Sequence, residues 1–314
     1  MGNNINILRL SLSQDEVIKV DCIIPCYNNA GTVVAAIQSV LTQDIDGLWI
    51  IVVNDGSTDD SAARVAAFNH PRITLISQTN QGPSAARNTG IRSSRARYCA
   101  FLDADDLWLP GKLAHQINVL DSIDDERVIG HCVSFRQVWP TGIATDRILP
   151  SSLAMQDSLF DACMTTIGST GLVRRSAFET IGLFDEGLRC FEDWDWHLRC
   201  LLLGQRFETS PQVFVEKQEG RRRSGRLVED GVAHMRRYVE AVRASFGPRA
   251  ARCFKAALAF ELAVARLVQR HWAGFSCAII ASIVGNPSRA LSSLLRICHR
   301  LVVKRRVGTG AVCM

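Results

Sequence analysis

What this chain of 314 residues does not contain narrows its reading first. No GxGxxG follows its first apolar run, which disfavours a dinucleotide-binding Rossmann site, and no GxxxxGK[ST] occurs anywhere, so a P-loop is excluded. Its 11 cysteines form no CxxC pair, and cysteines and histidines lack the close spacing that a zinc site needs. Scattered along a chain this long, often inside apolar runs (Cys22, Cys99, Cys277), they read as reduced, buried, small apolar residues of a cytosolic protein. The N-terminus has no basic flank leading into an apolar segment, so no secretory signal is expected. No internal repeat and no low-complexity segment is present.

What is there has the make-up of a folded soluble protein, 47% hydrophobic and 21% charged. The formal charge of +5 is unevenly spread. Acids gather at residues 55–60, 103–106 and 192–195, while the basic excess lies after residue 217. That asymmetry fits an acidic, metal-binding half and a basic tail that faces something anionic.

Residues 1–17 read as an irregular lead-in, after which short apolar runs alternate with helical periodicity. The runs at 20–25, 48–54, 73–77 and 98–102 predict strands. Between them, 32–43 puts Val33, Ile37, Val40 and Leu41 on one face, and 59–68 and 83–93 read as further helices. Such alternation predicts an α/β fold, a mostly parallel sheet with helices on both faces, whose ligands bind at the carboxyl ends of the strands. The polar residues collect at those ends: Tyr27 and Asn28, Asp55, Gln78 to Gln81, and Asp103 to Asp106. Residues 111–215 have weaker periodicity, with a helical stretch at 112–120, a strand at 128–138 and an acidic, aromatic segment at 191–196. From about Leu227 the chain reads as mainly helical.

Five segments carry chemistry, each with a plainer alternative. In Cys26 to Thr32, Tyr27 can cover a base and the following helix N-terminus can face phosphate; the alternative is an ordinary loop with Thr32 as N-cap. In Asn54 to Asp60, Asp55 ends a strand and can accept the imide hydrogen of uracil or thymine; the alternative is a strand-to-helix turn. Arg87 can pair with phosphate or position an acid, or simply sit on the surface. Asp103-Ala104-Asp105-Asp106 ends an apolar strand in three carboxylates whose repulsion a hard divalent cation would relieve; the alternative is a solvated acidic turn. Glu192-Asp193-Trp194-Asp195-Trp196 can supply a general base in an aromatic sugar pocket, or a helix cap with the tryptophans in the core.

Taken in order, these segments resemble the family-2 glycosyltransferases of the GT-A fold. The resemblance rests on Ile23-Ile24-Pro25-Cys26-Tyr27-Asn28, Val53-Asn54-Asp55-Gly56-Ser57-Thr58-Asp59, Asn80-Gln81-Gly82 through Ala86-Arg87-Asn88-Thr89-Gly90, Phe101-Leu102-Asp103-Ala104-Asp105-Asp106, Arg175-Ser176 through Gly182-Leu183-Phe184-Asp185-Glu186, and Glu192-Asp193-Trp194-Asp195. It covers roughly residues 18–204. The resemblance implies a nucleotide-diphosphate sugar donor, most simply a UDP-sugar, and inverting transfer to a hydroxyl of a glycan or lipid-linked glycan. Asp55 would bind the base, and Asp103 and Asp105 would hold the donor together with Mn²⁺ or Mg²⁺. Asp193 would be the catalytic base, and Pro25, Tyr27, Asn28, Arg87 and Ala104 would line the nucleotide-sugar site. Where members of the family often carry a histidine after the last core strand, this chain has Glu216 to Gly225 with three arginines, of which Arg223 is the candidate contact to the leaving diphosphate. No QxxRW follows Asp193, so addition of a single sugar is expected rather than processive synthesis.

The expected organisation is a nucleotide-sugar half at 18–110, an acceptor and catalytic half at 111–226, and a helical region at 227–314. A sugar-phosphate nucleotidyltransferase is the alternative enzyme, but the loop at 26–31 lacks the glycine richness it would need. A binder of anionic surfaces or nucleic acid through residues 221–226 leaves the acidic strand ends unexplained, and no nucleic-acid partner is expected. In the tail, 254–268 is broken by Lys255, Glu261 and Arg266, and 272–284 is short against the roughly 20 residues of a spanning helix. Residues 291–303 mix apolar residues with Arg296, His299 and Arg300, and Lys304-Arg305-Arg306 follows. This pattern predicts docking on an anionic membrane surface without crossing it, hence a cytoplasmic protein peripheral at the inner face; a helical cap on the catalytic domain is the alternative.

Overall fold

A computed structural model of the chain describes residues 19–151, 167–218 and 224–286. The chain divides into two compact units, the first made chiefly of residues up to Gly220 and the second chiefly of residues from Arg221 on.

The first unit is built on a nine-stranded sheet. Its leading half runs β1 (Val20–Cys26), α1 (Val33–Leu41), β2 (Leu48–Asp55), α2 (Ser61–Ala66), β3 (Ile73–Gln78), α3 (Pro83–Ser93) and β4 (Tyr98–Phe101). β1 pairs in parallel with β2 and β4, and β2 with β3. β1, β2 and β4 are almost wholly buried because both faces are covered, which is why they read as unbroken apolar runs. Cys22 and Ile24 pack on one side with Val33, Ile37 and Val40 of α1. Ile23 packs on the other with Ala86 and Ile91 of α3. A Cβ on Gly90 would overlap Ile23 Cγ2, so the glycine is what lets α3 lie directly on β1.

The trailing half follows as β5 (Leu107–Trp108), α4 (Lys112–Asp121), β6 (Val128–Val138), β7 (Ala144–Arg147), α5 (Ile167–Thr170), β8 (Gly171–Arg174), α6 (Ala177–Thr180), α7 (Glu192–Leu202) and β9 (Arg206–Gln218). The strand order is β3-β2-β1-β4-β8-β6-β9-β5, with β7 on β6. The parallel arrangement expected from the sequence holds through β4; beyond it β8 runs antiparallel to both β4 and β6, and β6 returns to a parallel pairing with β9. The fold is thus α/β, with a mixed sheet and helices on both faces.

In the second unit, α8 (Gly225–Met235) leads through a 3₁₀ turn to α9 (Val239–Val268), which is broken at Gly247, φ 86°, followed by Pro248. α10 (Trp272–Gly285) closes the described part. α9 packs on α8 and α10, and its Phe254, Ala257, Leu258 and Ala263 are buried. Among the described residues no helix is long and apolar enough to cross a membrane. The run at 291–303 and the basic cluster Lys304 to Arg306 lie outside the described residues. Of the eight described cysteines, none is in a disulfide and six are buried, as expected; Cys277 differs, being exposed on α10. Its apolar neighbours in the sequence do not place it inside, because α10 turns the face of Gly274, Ala278 and Ser282 inward.

Candidate active site

The carboxyl ends of β1, β2, β3 and β4 form one rim, and short polar side chains stitch its loops together. Asn28, in the left-handed conformation (φ 53°) that asparagine tolerates, accepts a hydrogen bond from the Thr58 amide at 2.8 Å and donates its own amide to Ser57 Oγ at 3.0 Å. The Ala30 amide donates to Asp59 Oδ2 at 3.0 Å and that of Asn29 to Ser61 Oγ at 2.9 Å. Tyr27 stands out from this rim, 49% exposed, with Pro25 half-buried behind it.

Asp55 ends β2 and is buried. Its Oδ1 accepts from Gln78 Nε2 at 2.8 Å and from the Gln81 amide at 2.9 Å, and its Oδ2 accepts from the Gly82 amide at 2.8 Å. Whatever ligand it meets, this carboxylate also fixes the path of the loop from β3 into α3. Gly82 holds φ 94° there, a backbone conformation that residues with a side chain rarely adopt.

The acidic centre lies beside it. Arg87 of α3 is buried, and it turns to carboxylates: Nη2 to Asp103 Oδ1 at 2.8 Å, Nη1 to Glu192 Oε1 at 3.2 Å and Nη1 to Asp193 Oδ1 at 3.9 Å. Burial opposes its charge, but Asp103, Asp193 and Glu192 outweigh that and hold the guanidinium charged. Lys217, near the end of β9, approaches Asp106 Oδ2 at 3.3 Å and Asp103 Oδ2 at 3.6 Å. Burial disfavours its charge too, and Asp106, Asp103 and Asp193 reverse the sign. Asp106 is buried, accepting from Ser169 Oγ at 2.5 Å and from the Gln218 amide at 2.9 Å. Burial pushes its carboxyl up, against the pull of Lys217.

Asp105 is different. Among the described residues no side-chain hydrogen bond or ion pair within contact distance holds its carboxylate, and burial together with the charge of Asp103 raises it above the ordinary range. A divalent cation at Asp103 and Asp105 would remove that penalty, so the residues present fit the expected ion. No group of three or more His, Cys, Asp or Glu among the described residues is arranged to hold a metal. Two carboxylates with the remaining positions filled by substrate phosphates and water is the usual arrangement for Mg²⁺.

Asp193 reaches the same place from a distant part of the sequence. It sits in the first turn of α7, whose N-cap Phe191 adopts φ 65°, a conformation costing a non-glycine residue about 1 kcal/mol. A side chain built on Gly168 would lie 3.4 Å from Asp103 Oδ2 and 3.6 Å from Asp193 Oδ2. Both carboxylates therefore lie within van der Waals reach of one point beside Gly168 and face a common space. Burial raises the Asp193 carboxyl well above its usual range, with Arg87 opposing and Glu192 adding to the rise. A carboxylate so raised is a better proton acceptor than a solvated one.

The neighbouring tryptophans belong to the core and line no sugar pocket. Trp196 is fully buried against Phe178, at 4.9 Å between centroids, and its indole donates to the Gly182 carbonyl at 2.7 Å. Trp194 is buried against Phe191. The plainer alternative holds for both. Ala104 is buried within the turn that carries Asp103 and Asp105, and Arg223 lies outside the described residues. The sequence reading missed Lys217, because it took the stretch from Glu216 as loop, whereas β9 runs on to Gln218. The available signal was a lysine placed after an apolar run and across from an excess of acids.

Comparison with known proteins bears on the family and the fold. The family model described as Glycosyl transferase family 2 matches residues 21–182. An uncharacterized glycosyltransferase of Rickettsia prowazekii is 34% identical over 181 residues, 56% of this chain and 56% of that protein. The chain therefore spans little more than half the length of that relative. The UDP-Glc:alpha-D-GlcNAc-diphosphoundecaprenol beta-1,3-glucosyltransferase WfgD of Escherichia coli is 37% identical over 102 residues, 32% of this chain and 40% of that protein. Among solved structures, S. aureus TarS 1–349 in complex with UDP-GlcNAc aligns with a TM-score of 0.63 at 17% identity, covering 87% of this chain and 82% of that one. The mannosyltransferase PcManGT from Pyrobaculum calidifontis, in complex with GDP-Man and Mn²⁺, aligns at 0.57 and 20% identity, covering 94% and 85%. At these identities the structural likeness is one of fold.

Proposed function

The chain belongs to the family-2 glycosyltransferases, and from that premise we propose that it moves one sugar from a UDP-sugar to a hydroxyl of a glycan or lipid-linked glycan, with inversion at the anomeric carbon. The observation that carries this reading is the meeting of Asp103 and Asp193 across Gly168. Inverting transfer needs negative charge neutralised on the leaving diphosphate and a proton taken from the incoming hydroxyl, on opposite sides of one carbon. TarS bound to UDP-GlcNAc and WfgD with its UDP-Glc donor and diphosphoundecaprenol-linked acceptor support the choice of donor and acceptor class.

In this reading Asp55, Tyr27, Pro25 and Asn28 form the nucleotide side of the site, and Asp103 and Asp105 hold Mn²⁺ or Mg²⁺. The ion supplies Lewis-acid stabilisation of charge on the diphosphate. Asp193 accepts the acceptor's hydroxyl proton as that oxygen bonds to the anomeric carbon. Arg87, touching Asp103 and Glu192 and lying near Asp193, fixes the spacing between the two acidic groups. Lys217 holds Asp103 and Asp106 in place. Residues 18–110 then form the donor half and 111–226 the acceptor half of the catalytic region. A lipid-linked acceptor places the enzyme in the cytoplasm, peripheral at the inner face of a membrane.

The test is turnover across a panel of UDP-sugars with Mn²⁺ or Mg²⁺, with the product's anomeric configuration read by NMR. Asp193→Asn is expected to lower kcat by at least about 10²-fold while leaving the melting-point rise that the donor induces nearly intact. Asp105→Ala is expected to abolish turnover and to remove the effect of added metal. Full activity in excess chelator, a retained configuration, or near-normal kcat in Asp193→Asn would each refute the corresponding assignment.

A further inference from the structure

α10 is packed inside out for a helix of a water-soluble protein. Its buried residues are Gly274, Ala278 and Ser282, small and four apart. Four of its six bulky apolar residues point the other way: Trp272 is 64% exposed, Ile280 59%, Ile283 40% and Val284 78%, with Ala273, Ser276, Cys277 and Ala281 exposed between them and Phe275 and Ile279 half-buried. A surface helix in water turns its large apolar side chains inward and its polar ones outward. Here the 14 residues contain no charged side chain at all.

The small face serves close packing on α9. Arg266 Nη1 donates to the Gly274 carbonyl at 3.3 Å. A Cβ on Gly274 would overlap His271, and one on Gly285 would lie 2.7 Å from Ala256 Cβ. Small residues at four-residue spacing against a neighbouring helix, with bulky apolar residues on the opposite side, is the pattern of helices whose outer solvent is lipid. A tryptophan at one end of such a face suits the boundary between headgroups and acyl chains.

Length and charge select the kind of lipid contact. Fourteen residues extend about 21 Å, short of the roughly 30 Å hydrocarbon core, so the helix lies in the interface and does not span it. From residue 262 to the end, the chain carries eight Lys or Arg and no Asp or Glu; Arg270 and His271, both exposed, stand directly before Trp272. Exposed Arg270 at the start of the helix, together with the excess of basic residues in this part of the sequence, complements anionic headgroups, each Lys or Arg near the surface adding about 1 kcal/mol.

We propose that the face of α10 formed by Trp272, Ile280, Ile283 and Val284 is the membrane-docking surface of this protein, seated in the headgroup region of an anionic bilayer. The inference gives the peripheral placement proposed above a physical site, and it rests on that placement and not on the transfer reaction. It is measured without donor or acceptor, so failure of the chemistry leaves it standing.

The experiment uses the full chain. Flotation with vesicles of phosphatidylethanolamine and phosphatidylglycerol is compared with vesicles of phosphatidylcholine alone. The wild type floats with the anionic vesicles, and Ile280→Glu/Val284→Glu partitions at least about tenfold less with unchanged circular dichroism and melting temperature, since both positions are exposed. The serine pair Ile280→Ser/Val284→Ser provides the same reading without added charge. The blue shift in tryptophan emission that vesicles induce disappears in Trp272→Phe. A wild type that does not float at low salt overturns the proposal, as does a glutamate pair that floats normally. So does a dimer, seen by sedimentation velocity, that the substitutions dissolve while lipid binding persists; the face would then belong to a second copy of the chain.

Discussion

Arg87 shows how one residue can serve three partners. Its guanidinium is buried and reaches Asp103, Glu192 and Asp193, so the planar fork carried by α3 holds groups brought in by the turn after β4 and by α7. Removing a buried charge leaves its partners uncompensated, and that costs about 3–5 kcal/mol. Arg87→Met is therefore expected to melt well below the wild type, because three carboxylates would face each other. Arg87→Lys keeps the charge but replaces the fork with a point donor, and should melt between the two. Thermal melts of both variants decide the matter: a methionine variant as stable as the wild type would mean that the carboxylates take up protons instead. The sequence singled out Arg87 as a residue that could position an acid. The number of acids, and Lys217 as the second cation, depend on a strand pairing that no local pattern announces.

α3 carries its polar residues where its packing demands them. Ser84, Arg87 and Asn88 face inward; Ser84 Oγ donates to the Leu188 carbonyl, and Asn88 exchanges hydrogen bonds with the backbone of Phe184. Gly90 sits less than a turn further on, against Ile23. Gly90→Ala gains about 1 kcal/mol in helix propensity, while overlap with a fully buried Ile23 costs about 1–3 kcal/mol. The net effect is expected to be a lower melting temperature and a reduced kcat, because α3 must move away and takes Arg87 with it. A variant that melts higher and turns over normally would show that α3 has room to spare. The elements of the first half were legible because strands covered on both faces are continuous apolar runs; β1, β2 and β4 are of this kind. β9 was not, since most of its 13 residues are polar and only Phe207, Ser210 and Val215 are buried. β8 is four residues long, too short for alternation to register. The acidic segments were legible as segments, but the space they share lies beside Gly168, in a helix of four residues without any pattern of its own.

For the molecule as a whole, buried histidines set an acid limit. His131 and His197 are fully enclosed, and burial pushes both down to about 3. Their ordinary value is about 6.5, so below it the unfolded chain takes up protons that the folded chain refuses. The contribution of these histidines is complete above pH 6.5 and is lost as pH is lowered toward 3, by up to about 1.4 kcal/mol per pH unit for each. Asp106 and Asp193, raised by burial to about 6, act in the opposite sense below that value. His197→Phe should flatten the decline of melting temperature between pH 6.5 and 4.5; an unchanged slope would assign the acid sensitivity elsewhere. The stitched rim has a consequence of another kind. Its loops after β1, β2 and β3 are already fixed to one another through Asn28, Asp55 and Asp59, so their disorder is removed during folding and not at each encounter with a ligand. Capture by such a rim needs no loop to close first: its rate follows diffusion and charge, and the time a ligand stays is set by the contacts it makes on arrival.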